Sequence, residues 1–183
     1  MQRIPSLSSA IDRLWRGMFA LFLFASAACL ASAQTPPVTI APRPATSAKH
    51  FDSAANAALL AMKQRAAELN ITGVAVVAYF EGDTIQSWTS KMLVVGRMKD
   101  MPTATSKGSN LLGIAYAKAS EMADTLKDSG SQVRPPMTGE FGWTGGVILP
   151  GKSGHLIAAF SGGKSEDDVK VSRAGVEMLK SRL

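Results

Sequence analysis

Residues 144–163 read Thr144-Gly145-Gly146-Val147-Ile148-Leu149-Pro150-Gly151-Lys152-Ser153-Gly154-His155-Leu156-Ile157-Ala158-Ala159-Phe160-Ser161-Gly162-Gly163, and a charged segment follows from Lys164 to Leu183. Two apolar runs flank a Pro-Gly turn, which predicts a β-hairpin. The charged segment predicts a helix capped by Ser165, with Asp168 in the capping-box position. Val171, Ala174, Gly175 and Met178 mark its buried face. The letters from Gly146 to Ser153 also satisfy the phosphate-loop pattern of Gly, four residues, then Gly-Lys-Ser. A phosphate loop wraps its anion with backbone N–H groups and opens a helix. Here the middle residues read as the strand itself, Pro150 has no N–H, and His155 to Phe160 is strand-like rather than helical. The hairpin is therefore the reading adopted.

The N-terminus belongs to another category. Arg3, Arg13 and Arg16 precede an apolar core from Met18 to Leu30, and Ala31-Ser32-Ala33 supplies small residues for cleavage. Residues 1–33 read as a secretory signal peptide cut before Gln34, with an uncleaved anchor as the alternative. Cleavage removes Cys29, and Ser26 stands where a lipoprotein would carry a large aliphatic residue. The expected location is periplasmic or secreted, with no stable membrane span after cleavage. Residues 34–47, with Pro36, Pro37, Pro42 and Pro44, read as a disordered leader. Residues 48–183 form the domain, long enough to bury a core without disulfides. The formal net charge of the whole chain is +6, with 20 Lys plus Arg against 14 Asp plus Glu. That balance is mild, and no basic patch is interleaved with aromatics, which argues against nucleic acid.

Helical spacing runs through Phe51, Ala55, Ala58, Met62 and Leu69, ending near Asn70. Gly73 to Phe80 predicts a strand, Glu81-Gly82-Asp83 a turn, and Thr84 to Thr89 the returning strand. Lys91 to Met98 is a further β-prone run. Leu111, Leu112, Ala115, Ala119, Met122, Ala123 and Leu126 predict a second helix that stops at Gly130. Ser131 to Gly142 is a loop whose Arg134, Glu140, Phe141 and Trp143 make it a candidate rim of a site. The order helix, strands, helix, strands, helix, with tight turns between strands, predicts an α+β sandwich with a largely antiparallel sheet.

Three stretches carry a family resemblance. They are Ala115-Tyr116-Ala117-Lys118-Ala119 continuing to Glu121-Met122-Ala123, Gly145-Gly146 before the hairpin, and Ala159-Phe160-Ser161-Gly162-Gly163 followed by Glu166-Asp167-Asp168. In order and spacing the chain resembles the GlcG/HbpS-like haem-binding, also described as haem-degrading, family from about Phe51 to Leu183. The family's Arg-Met-Asp-Gly-Ala stands here as Arg97-Met98-Lys99-Asp100-Met101. The resemblance implies a profilin- or PAS-like sheet flanked by helices, homo-oligomers, and haem as the ligand of exported members.

Haem iron takes His, Met, Tyr or Cys. His155 is the candidate iron ligand, and strand alternation puts it on one face with Ile157, Ala159 and Ser161. The alternative is a solvated histidine beside the turn; for His50, at the start of the first helix, an exposed terminus is the stronger reading. Met98 and Met101 are the candidate methionine ligands, while Met62, Met122 and Met178 fit helix cores. Arg97, Lys118 and Arg134 are candidates for pairing propionates, with ordinary surface charge as the competing reading. Ser161-Gly162-Gly163 precedes a helix N-terminus, where free N–H groups favour an anion. Ser161 has no His and acid neighbours in sequence, and no Cys/His cluster suggests zinc. The expected function is haem sensing, sequestration or handling. The alternatives are an enzyme acting on haem or on a small carboxylate such as glycolate, and an interaction module for a membrane sensor. Catalysis is left undecided, with binding favoured.

Overall fold

The run Gly73 to Phe80 is apolar at nearly every position, which demands burial on both faces. In the computed structural model, which describes residues 45–183, this run is the strand β1 (Gly73–Glu81), next to the centre of a four-stranded sheet. The other strands are β2 (Thr89–Val95), β5 (Gly146–Pro150) and β6 (Gly154–Ser161). A separate two-residue ribbon pairs β3 (Lys99–Asp100) with β4 (Ser109–Asn110). The sheet order is β2-β1-β6-β5, and every pair is antiparallel. Three helices complete the fold: α1 (Ala45–Glu68), α2 (Leu111–Thr125) and α3 (Ser165–Arg182). The expected α+β architecture and element order are those observed.

The two faces of β1 and β6 serve two cores. Ala75, Val77 and Tyr79 of β1 join Leu156, Ala158 and Phe160 of β6 in a core closed by α1 and α3. Val74, Val76, Ala78 and Phe80 join Ile157 and Ala159 under α2. Small residues let the helices approach. Ala55, Ala58 and Ala66 are buried along α1, and a side chain at Gly175 of α3 would run into Met62. Each fully buried large side chain, such as Phe160 or Met122, contributes about 1.5–3 kcal/mol.

Several local expectations need correction. The returning strand is not Thr84–Thr89, and the β-prone run expected over Lys91–Met98 is the strand, shifted two residues earlier at its start and three at its end. Residues 82–88 are irregular, and β2 is one strand, Thr89–Val95. Asp83-Thr84-Ile85-Gln86-Ser87 has no apolar face to bury, and Ile85 is exposed. Alternation begins only where Met92 packs towards α2 and Leu93 and Val95 towards α1 and α3. The second helix stops before Gly130, at Leu126, which takes the left-handed conformation and donates its N–H to the Met122 carbonyl. Its start is capped by Asn110, whose side chain accepts from the Gly113 N–H. Ser165 is not the cap of the last helix. The N-cap is Lys164, with no side-chain cap bond, and Asp168 is engaged elsewhere. The first helix begins at Ala45, inside the stretch expected to be a disordered leader. The rest of that leader, the signal-peptide segment and Cys29 lie outside the described residues.

The hairpin forms as expected. Val147 to Pro150 pair with Ala158 to His155, and the Gly151 N–H closes the turn on the Gly154 carbonyl at 2.7 Å. Ser153 spends its hydroxyl on Tyr79 Oη at 2.7 Å, and the next helix begins only at Ser165. None of this resembles a phosphate loop.

The loop from Ser131 to Gly142 is held by Arg134, which forks onto Glu140 at 2.7 and 2.9 Å and also bonds Asp124. The Arg134 guanidinium, helped by the Met137 N–H, holds the Glu140 carboxyl down at about 2. A depressed carboxyl contributes stability above its ordinary value, and that contribution is lost as pH falls through the folded value. Thermal midpoints should therefore drop between pH 4.5 and about 2 by more in the wild type than in Glu140→Gln. Parallel pH curves for the two would refute this role.

Candidate functional site

Lys118 stands on the buried face of α2, one turn from Ile114 and from Met122. A lysine in that position needs a partner, because an unpaired buried charge is costly. Its ammonium leaves the helix at the end of the sheet. There it donates to the Phe160 carbonyl at 2.8 Å and to Asp168 Oδ2 at 2.9 Å. Both side chains of this ion pair are only 4% exposed. The second Asp168 oxygen, Oδ1, accepts the Gly163 N–H at 2.8 Å. One ion pair thus ties α2 on one face of the sheet to α3 on the other. Burial pushes the Lys118 amine below its ordinary value and the Asp168 carboxyl above it, each partly offset by the other's charge.

The two glycines before the hairpin make this geometry possible. Gly145 has φ +138°, and a side chain there would strike Lys118 Nζ and Asp168 Cβ. A side chain at Gly146 would strike the Met122 methyl. Their backbones are fixed in turn. Ser172 Oγ donates to the Gly145 carbonyl at 2.6 Å, and the Gly146 N–H donates to Ser129 Oγ at 2.8 Å. The Lys118 helix, the Gly145-Gly146 pair and the Ser161-Gly162-Gly163 turn are far apart in sequence. In space they meet at one place.

There Lys118 and the Ser161-Gly162-Gly163 turn line a cleft of about 170 Å³. Lys118, Asp168, Gly162 and Gly163 line it, and Ser109, Thr144, Ser161 and Ser165 bring hydroxyl-bearing side chains. Leu111, Ile114 and Trp143 supply the apolar wall, and Asp100 stands at the edge. Ser165 is the first residue of α3, so the positive end of an 18-residue helix borders the cleft. Lys118, Ser161, Gly162 and Gly163 were expected at a ligand and are brought together here. Asp168 was expected only as a cap; its true partner is on another element and leaves no trace in local spacing.

Arg97 works behind the cleft rather than in it. It donates to Asp100 Oδ1 at 2.7 Å, to the Thr72 carbonyl and the Gly162 carbonyl at 2.8 Å, and to Thr72 Oγ1. Most of its donors are thus spent on protein, and it positions the Gly162 turn and Asp100. Met98 is exposed and does not line the cleft. His155 lies at the opposite end of β6, roughly 20 Å away at about 3.3 Å per residue. It stacks on Phe80 with centroids 5.2 Å apart, its Nδ1 is 3.1 Å from the Gly82 carbonyl, and its Nε2 is 3.9 Å from Asp83. His155 and Lys118 therefore do not face the same cleft. Among the described residues there is no group of three or more His, Cys, Asp or Glu that could hold a metal ion.

A larger cleft of about 450 Å³ lies along Gln132 to Pro136. Its ionisable groups are already engaged: Arg134 by Glu140 and Asp124, and Glu121 by the Gly130 N–H at 2.8 Å. The chemistry concentrates instead at Lys118. A scan against protein-family models gave no match, and a search of curated proteins gave none either. No helix among the described residues is long and apolar enough to cross a membrane.

Proposed function

We propose that this chain is an exported, homo-oligomeric binding protein that takes a small carboxylate in the Lys118 cleft. The observation that carries this reading is the convergence of a buried lysine, several hydroxyls and a helix N-terminus on a cleft of about 170 Å³. That volume lies below the roughly 300–1,000 Å³ of sites for drug-sized ligands, and it suits a molecule of a few heavy atoms. The hydroxyls favour a ligand that carries a hydroxyl or carbonyl beside its carboxylate. Asp168 neutralises much of the Lys118 charge, so recognition relies on hydrogen bonds more than on net charge, and binding is the expected role rather than turnover.

Haem handling, which the family resemblance implies, is the second reading. The observation that favours it is an exposed apolar rim. Phe141 and Trp143 pair at 4.9 Å, and Met98 and Met101 are exposed on the segment leading to and from Asp100. A panel of melting curves separates the two. Glycolate and glyoxylate should raise the melting temperature saturably, whereas acetamide should not. A saturable haemin Soret shift, with no response to the carboxylates, would favour the second reading over the first.

A further inference from the structure

We propose that Lys118 forms a Schiff base with a small 2-oxo acid held in this cleft. The inference rests on the carboxylate reading and sharpens it to a ligand class with a ketone or aldehyde beside the carboxylate. Four features carry it. Lys118 lines the cleft, and its side chain is 4% exposed. It is held at a fixed position by Phe160 and Asp168 rather than waving in solvent. A neutral amine has two hydrogens and one lone pair; those two hydrogens have acceptors here, and the lone pair is left for an electrophile. Asp168 sits 2.9 Å from the nitrogen, within reach to move protons on and off the reacting atoms. Burial disfavours the charged form of Lys118, which raises the share of neutral amine.

The chemistry balances without any redox partner. The Lys118 lone pair attacks the carbonyl carbon, a C–N bond forms, and the carbonyl oxygen takes a proton to give a carbinolamine. The Asp168 carboxylate carries both protons, taking each in turn from the nitrogen and passing the first to the carbonyl oxygen and the second to the departing hydroxyl. The C–O bond breaks and water leaves. One amine and one carbonyl give one imine and one water. The ligand's carboxylate would lie against the hydroxyls of Thr144, Ser161 and Ser165. Gly145, lacking a side chain, leaves room beside the nitrogen that a Cβ would fill.

The test is reductive trapping on the full chain. Glyoxylate or pyruvate is added with cyanoborohydride, the intact mass is measured, and the product is mapped by peptide digestion. The expected result is one adduct per chain, located on the peptide containing Lys118, and not formed from glycolate, which has no carbonyl. Asp168→Asn should slow adduct formation by about 10²-fold. The mapping uses wild-type protein, so the result does not depend on a Lys118 variant folding. No adduct, or adducts scattered over surface lysines, together with a carboxylate-induced rise in melting temperature, would overturn the Schiff base and leave the binding site standing. No adduct and no rise would overturn both.

Discussion

Lys118→Ala should destabilise the fold by about 3–5 kcal/mol, the largest loss expected from any single charge removal, because it strands a buried carboxylate. Asp168 would lose the ammonium at 2.9 Å while keeping only the backbone N–H donors of the glycine turn. The Phe160 carbonyl would lose its donor as well. The deficit should shrink as pH is lowered. A stranded, buried Asp168 has a raised folded value, so the folded state gains by binding its proton, and a protonated carboxyl needs no counter-ion. The double variant Lys118→Met with Asp168→Asn removes both charges and leaves an amide oxygen for the Gly163 N–H. It should lose only about 1–2 kcal/mol, chiefly from the Phe160 carbonyl. Denaturant titration of Lys118→Met, Asp168→Asn and the double variant gives the coupling directly. Additive losses would mean that the pair contributes nothing as a pair.

Gly145→Ala should cost about 3 kcal/mol, although it adds a single methyl group. Two penalties combine. The backbone sits at φ +138°, a conformation that residues with a side chain rarely adopt, and the new methyl strikes the Lys118 ammonium and the Asp168 side chain. Neither side chain can give way without breaking the buried pair. Gly82→Ala is the control. It also has a positive φ, +73°, but nothing lies within 4 Å of an added methyl. It should cost only the backbone penalty, about 1–2 kcal/mol. Thermal or urea unfolding separates them, and equal losses at the two positions would remove the steric part of the argument.

The layering was legible because periodicity reports burial. The even and odd residues of Gly73 to Phe80 are both apolar, and the structure sends them to two different helical layers. The hairpin was legible from Pro150-Gly151, and alternation placed His155 on the face of Ile157, as observed. The edge strand was misplaced because Thr84 to Thr89 has the residue types of a strand but no neighbour to bury against. Asp168 was misjudged because its spacing from Ser165 imitates a capping box, while its real partner lies 50 residues earlier on α2. Lys118 did carry a signal of its own: a lysine amid Ile114, Ala115, Ala119 and Met122 interrupts a buried helical stripe. What sequence could not show is that this interruption, the Gly145-Gly146 pair and the Ser161-Gly162-Gly163 turn close on one another. His155 and Met98 drew attention as residue types that bind iron, but residue type says nothing of position, and both lie away from the cleft.

Calorimetric titration of glycolate into the wild-type chain and into the Lys118→Met, Asp168→Asn double variant is the most direct measurement. The account predicts saturable binding at one ligand per chain in the wild type and none in the folded double variant. Equal binding by the two proteins, or no heat from either, would contradict the assignment of the Lys118 cleft as the ligand site.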